Sequence, residues 1–156
     1  ITFYRSTNDL PDFLDYTMKN RTYRYFKGKE LFPFGFGLTY TQFEIGTPTY
    51  ADGRVNVKVS NVGSGNGAGA GVATETVQVY IRTLADKQGP LKTLRAYKQV
   101  ELTPGESKTL SIPLPRTSFE GWDPSTNTMR VVPGRYEIMV GNSSADRDLK
   151  KIIVDI

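Results

Sequence analysis

The sequence predicts an all-β sandwich of about seven or eight antiparallel strands, preceded by an extended, irregular N-terminal arm. Three observations carry this: from residue 41 onward apolar residues recur with period two, turn signals separate the runs at short intervals, and no stretch shows helical period.

The elements follow in order. A first strand is expected over 41–50. In "RVNVKVSNV", Val55, Val57 and Val59 alternate with Arg54, Asn56 and Lys58, giving one buried and one wet face of a strand over 53–62. "ETVQVYIR" repeats the pattern with Val77, Val79 and Ile81 inside a strand over 73–83, and another strand is expected over 92–102. "KTLSIPLP" places Leu110, Ile112 and Leu114 on one face over 106–114. A short strand near 127–132, one over 134–141 carrying Tyr136, Ile138 and Val140, and a last one over 149–155 complete the set. "ADGR", "TPGES", "WDPSTN" and "VPGR" are the reversals, since Asp-Gly and Pro-Gly supply backbone angles that tight turns require.

Composition narrows the chemistry. The 156 residues suffice for one domain with a core of its own, and 38% apolar with 23% charged residues describes a soluble globular chain. No apolar run approaches the roughly 18 to 20 residues of a membrane span, so no membrane partner is expected. Cysteine and histidine are both absent, which removes thiolate sites, the commonest general base and every Ser-His or Cys-His pair. The net charge of +4 comes from basic residues scattered along the chain, which reads as a solvated surface. The N-terminal Ile-Thr-Phe-Tyr has neither an initiator Met nor a signal region, so a piece of a longer chain is expected.

The arm, residues 1–40, poses the functional question. Its stretch "RTYRYFKGKELFPFGFGLTY" holds Tyr23, Tyr25, Phe26, Phe32, Phe34, Phe36 and Tyr40, seven of the eighteen aromatic residues, together with Gly28, Pro33, Gly35 and Gly37, which oppose a helix. Arg21, Arg24, Lys27 and Lys29 between the rings suggest base stacking beside phosphates. That reading fails, because Phe34 and Leu38 occupy the wrong places for an RNA-binding strand and no βαββαβ pattern is present; no nucleic-acid partner is expected. A sugar-stacking platform and a strip that docks against another domain remain, and the apolar rings on an irregular segment favour docking.

Other motifs read as ordinary structure. "GSGNGAGAG" spaces Gly65, Gly67 and Ala70 like a dinucleotide turn, but a strand rather than a helix follows, so it is a loop. "DPSTNT" carries Asp123, Ser125 and Asn127 like a calcium loop but lacks its Gly and Glu, leaving a polar turn. Asn20-Arg21-Thr22 and Asn142-Ser143-Ser144 are glycosylation triplets. The near pairs Asp12/Asp15, Glu120/Asp123 and Asp146/Asp148 are weak candidates for a glycosidase pair, since surface turns supply such pairs constantly. Trp122 is expected to pack at one end of the sandwich rather than serve a sugar. No catalytic, metal or cofactor set emerges.

The ordered motifs "RTYRYFKGKELFPFGFGLTYTQF", "VSNVGSGNG", "ETVQVYI", "LKTLRAYKQVELTPGES", "GWDPSTN" and "VVPGRYEIMVGNSS" resemble the junction and C-terminal fibronectin type III-like domain of family-3 glycoside hydrolases. The resemblance covers essentially the whole chain and departs at Thr39, where Ser is commoner; the region upstream of the junction looks more like the β-xylosidase than the β-glucosidase branch. It implies a fibronectin type III/immunoglobulin-like sandwich over 41–156, with 1–40 as a linker docking on upstream catalytic domains of the same chain, and a homodimer contact as a further role. In such enzymes the nucleophilic Asp lies in a barrel domain and the acid/base residue in an α/β domain, both upstream, so no catalytic residue carries over to this chain. The implied parent is a periplasmic or secreted retaining β-glycosidase, of β-xylosidase type, that removes terminal β-linked sugars from plant polysaccharide fragments.

Overall fold

The computed structural model describes residues 2–67 and 71–156. Among these residues the strands are β1 (Phe43–Ile45), β2 (Thr49–Ala51), β3 (Arg54–Asn61), β4 (Ala73–Thr83), β5 (Thr93–Leu102), β6 (Ser107–Pro113), β7 (Gly121–Asp123), β8 (Thr128–Arg130), β9 (Arg135–Gly141) and β10 (Leu149–Asp155). In the first sheet β3 is central, flanked by β6 on one side and by β1 and β2 on the other; the second has the order β10-β9-β4-β5; β7 and β8 form a separate ribbon. Pairing is antiparallel throughout.

The expected first strand is two strands. β1 pairs with the far end of β3 (Phe43↔Asn61) and β2 with its near end (Ala51↔Arg54). Between them Gly46 donates to the Lys58 carbonyl at 2.9 Å, and buried Pro48, which has no N–H to give, interrupts the ladder. Asp52 and Gly53 (φ +50° and +69°) make the tight reversal into β3 that the Asp-Gly pair predicts. The polar stretch 122–127 conceals the one strand without a sequence signal, β7. Ala70 of the glycine-rich segment lies outside the described residues; the element after the segment is β4, as expected.

The core is the apolar face of each sheet turned toward the other. Val55, Val57 and Val59 of β3, Leu110 and Ile112 of β6, Val77, Val79 and Ile81 of β4, and Ile138 and Val140 of β9 form one buried cluster. Each such side chain taken from water stabilises the fold by about 1.5–3 kcal/mol. Phe119, carried in by a 3₁₀ turn (Arg116–Phe119), closes one end with edge contacts to Tyr50 (5.8 Å) and Tyr136 (5.2 Å). Asn61, buried, ties the sheets together: it donates to the Leu102 carbonyl at 3.1 Å and accepts from the Thr41 hydroxyl and the Gly63 amide.

Trp122 does not pack at the sandwich end. Asp123 turns inward to accept from the Arg130 guanidinium (2.6 Å), so its neighbour Trp122 points outward on the ribbon opposite Met129, and both are more than half exposed. No helix among the described residues is long and apolar enough to cross a membrane.

Candidate docking site

On β4, Gln78, Tyr80 and Arg82 alternate with the core valines, and period two alone assigns them to a wet face. Gln78 and Tyr80 are instead 5% and 0% exposed. The arm covers them. Rather than extending away, residues 20–36 fold back over the outer face of the second sheet, where Tyr80, Met139 and Leu149 form a second buried cluster with Tyr23 and Leu94 against it.

Tyr23 is presented by a single α-helical turn, α1 (Thr22–Tyr25). Its ring stacks on Phe34 (centroids 4.4 Å apart, 17° between planes) and meets the edge of Tyr80 at 5.8 Å, while its hydroxyl accepts from the Leu94 amide at 3.1 Å. The arm backbone adds three bonds: the Arg24 carbonyl accepts from Leu91, the Phe34 carbonyl from Ser144, and the Gly35 carbonyl from the Gln78 side-chain amide at 3.2 Å. Gln78 also donates to the Asn142 carbonyl (2.8 Å) and accepts from the Tyr80 hydroxyl, so both amide hydrogens and its oxygen are engaged. Burial raises the Tyr80 phenol far above its usual range, keeping it a neutral donor to Gln78. Gly35 is required here: its φ is +80°, and a Cβ would overlap the Gln78 amide.

Beside this latch a cleft of about 560 Å³ runs between the arm, the outer face of β4 and β9, and the loop before β10. Its floor carries the cross-strand pair Arg82–Glu137 (3.4 Å). One side holds Lys92, whose ammonium donates to the Ser144 carbonyl (2.7 Å) and to Asp146 (3.2 Å); Lys151 reaches the same Asp146 oxygen at 3.0 Å. Phe3, edge-on to Phe32 at 6.0 Å, lines the arm side.

Much of the rest of the arm is exposed. Leu10, Phe13, Leu14, Tyr16 and Met18, then Phe36, Leu38 and Tyr40, all stand exposed, Leu38 at 92% and Tyr40 at 86%. Their number on one 40-residue segment exceeds the scattered apolar exposure of an ordinary surface.

The seven ring residues proposed from sequence therefore divide. Tyr23 and Phe34 meet on the sheet, Phe26 packs edge-on against Tyr4 (5.0 Å), and Phe32 sits between Phe3 and Phe36. Tyr25 lies under the Arg24 guanidinium, 5.7 Å from the ring centre, and Tyr40 stands apart. The residues that receive the arm, Gln78, Tyr80 and Met139 on the sheet and Ser144 in the loop after β9, were missed; the available signal was a large aromatic, Tyr80, at a position that period two assigns to water.

Five of the six paired carboxylates are engaged, Asp146 by Lys92 and Lys151 and the others close by in sequence. Asp12 and Asp15 accept from the amides of Leu14 and Thr17, and Asp148 accepts from Ser143. The calcium-like turn closes on itself. The Ser125 hydroxyl and amide, then Arg130, hold Asp123 down at about 2. Among the described residues no group of three or more His, Cys, Asp or Glu is placed to hold a metal ion.

Residues 75–144 match the family model of the fibronectin type III-like domain. A xylan 1,4-β-xylosidase from Xylanibacter ruminicola is 46% identical across the whole chain, and a periplasmic β-glucosidase from Salmonella typhimurium is 29% identical over 93% of it. A β-glucosidase involved in saponin metabolism from intestinal bacteria superposes on 99% of the chain with TM-score 0.79 at 26% identity. The chain spans only about a fifth of these proteins: 18%, 21% and 22% of their lengths.

Proposed function

We propose that this chain, a fibronectin type III-like domain homologous to the C-terminal regions of family-3 β-glucosidases and β-xylosidases, is a non-catalytic accessory unit that braces the catalytic domains of a larger retaining β-xylosidase. The parent would remove terminal β-linked xylose from plant polysaccharide fragments through a covalent glycosyl-enzyme intermediate, in the periplasm or outside the cell. The xylan-acting relative at 46% identity supports the substrate class, and the periplasmic relative supports the compartment.

One observation carries the docking role: the arm is two-sided. Tyr23 is held on the sheet, while Leu38 and Tyr40, 92% and 86% exposed, and Phe36, whose ring meets Phe32 at 5.4 Å and is still 44% exposed, present apolar surface to solvent. Burying three such side chains against a neighbouring domain stabilises by about 1.5–3 kcal/mol each at full burial. The triple variant F36A/L38A/Y40A is therefore expected to lower the unfolding midpoint of the full-length enzyme and leave that of the 156-residue chain nearly unchanged. Equal losses in both would show that these side chains serve the sandwich itself. Concentration-dependent dimerisation of the short chain, abolished by the triple variant, would assign the strip to a second copy instead.

A further inference from the structure

We propose that the cleft between the arm and the second sheet is a carbohydrate subsite for a sugar bearing a carboxylate, such as a glucuronic-acid-substituted xylooligosaccharide. Its volume, about 560 Å³, falls among small-ligand sites, which run to about 300–1,000 Å³. Phe3 and Phe32 stand nearly perpendicular (82°), so their pairing uses an edge of one ring and does not close the wall into a stack. Aromatic walls over a polar floor suit a pyranose ring, with its apolar face and hydroxyl rim.

Charge selects the kind of sugar. The lining holds six cations, Lys27, Lys29, Arg82, Lys92, Arg147 and Lys151, against three anions, Glu30, Glu137 and Asp146. Arg147 is paired with Asp148 at 3.6 Å, so the uncompensated surplus is two, against +4 for the whole chain, and residues scattered from 27 to 151 are gathered here by the fold. Asp146 serves two ammonium groups at once, and Lys27 and Lys29 are exposed with no ion pair among the described residues. In a half-enclosed cleft with low-dielectric walls this surplus attracts an anion more strongly than open surface would.

A polypeptide fits less well. The floor is made by β4 and β9, interior strands of the order β10-β9-β4-β5, so it offers no unpaired backbone edge to which a strand could add. The choice of a xylan-derived sugar rests on the β-xylosidase reading; the chemistry of the cleft does not.

The test is calorimetric titration of the 156-residue chain with glucuronic-acid-substituted xylotriose and with plain xylotriose. Saturable binding of the acidic sugar is expected, about tenfold tighter than the neutral one, weakening as salt rises. The variant K27Q/K29Q, altering two exposed side chains, should lose about tenfold for the acidic sugar, with neutral binding and the thermal midpoint unchanged. Absence of saturable binding, equal affinity for the two sugars, or indifference to K27Q/K29Q overturns the proposal. So does tighter binding of hexaglutamate, which would indicate an acidic polypeptide. None of these outcomes bears on the docking strip, whose triple variant reads a different surface.

Discussion

Replacing Gln78 by Leu tests whether the arm is latched through one buried amide. The side chain keeps nearly the same volume, so the change removes hydrogen bonds rather than packing. Three partners lose Gln78: the Tyr80 hydroxyl, the Asn142 carbonyl and the Gly35 carbonyl. Gly35 is exposed and its carbonyl can turn to water, whereas Tyr80 is fully buried. A buried polar group left unpaired costs about 1–3 kcal/mol, and a lost hydrogen bond that water replaces about 0.5–1.5 kcal/mol. The expected loss is thus about 2–4 kcal/mol by urea denaturation. Removing the orphaned hydroxyl as well, in Q78L/Y80F, should recover part of it, because two apolar groups can face each other at little cost. Hydrogen exchange at the Ser144 and Leu94 amides, which donate to the Phe34 carbonyl and the Tyr23 hydroxyl, reports the arm directly and should accelerate in Q78L. A loss below about 1 kcal/mol with both amides still protected would refute the latch. An equal loss in a chain lacking residues 1–40 would assign the amide to the sandwich alone.

Two further outcomes check the core and the ribbon. Phe119→Ala removes the ring between Tyr50 and Tyr136 and should cost about 3–5 kcal/mol in chemical denaturation; a loss near that of a surface change would mean the end of the sandwich is not closed by this ring. Asp123, held at about 2 by Ser125 and Arg130, has a folded value below its unfolded one of about 3.9. Its contribution is therefore complete above about pH 4 and is lost as pH falls through about 2. Carboxyl NMR titration should show that midpoint, and S125A should move it up toward the ordinary range; an unmoved midpoint would remove Ser125 as the cause.

Period two made the sandwich legible because each sheet buries one face in a common core, so every core strand carries its own signal, as Val55, Val57 and Val59 do. What it could not show is a face covered by something other than a sheet. Gln78 reads as a polar solvent position, yet it is polar because its partners are the backbone carbonyls of Gly35 and Asn142, 43 and 64 residues away. β7 was hidden for a related reason: its buried residue is Asp123, satisfied by Arg130 across the ribbon, so the apolar signal sits on the exposed Trp122. In the arm the density of rings was readable, but the selection of Tyr23 over Phe36 and Tyr40 depends on where Tyr80 stands.

The two-sided arm also fixes an expectation about its dynamics. Ordering a residue's backbone costs about 1–2 kcal/mol, and of residues 2–40 only Pro33 is buried. Two long-range hydrogen-bonded contacts, at Tyr23–Arg24 and at Phe34–Gly35, and the small cluster under Tyr23 must offset that cost for the whole segment. In the 156-residue chain the amides of residues 12–18, held by local Asp12 and Asp15 turns, should therefore exchange at nearly the rate of an unfolded peptide. The Leu31 amide, bonded to the Phe3 carbonyl at 2.7 Å, should be intermediate, and the Val57 and Val79 amides should open only with global unfolding. In a full-length enzyme whose catalytic domains cover the strip, residues 12–18 and 36–40 should become protected, since a second apolar surface then shares the cost of ordering them. If those amides in the short chain were already as slow as Val79, the arm would be an integral part of the core and would need no neighbour.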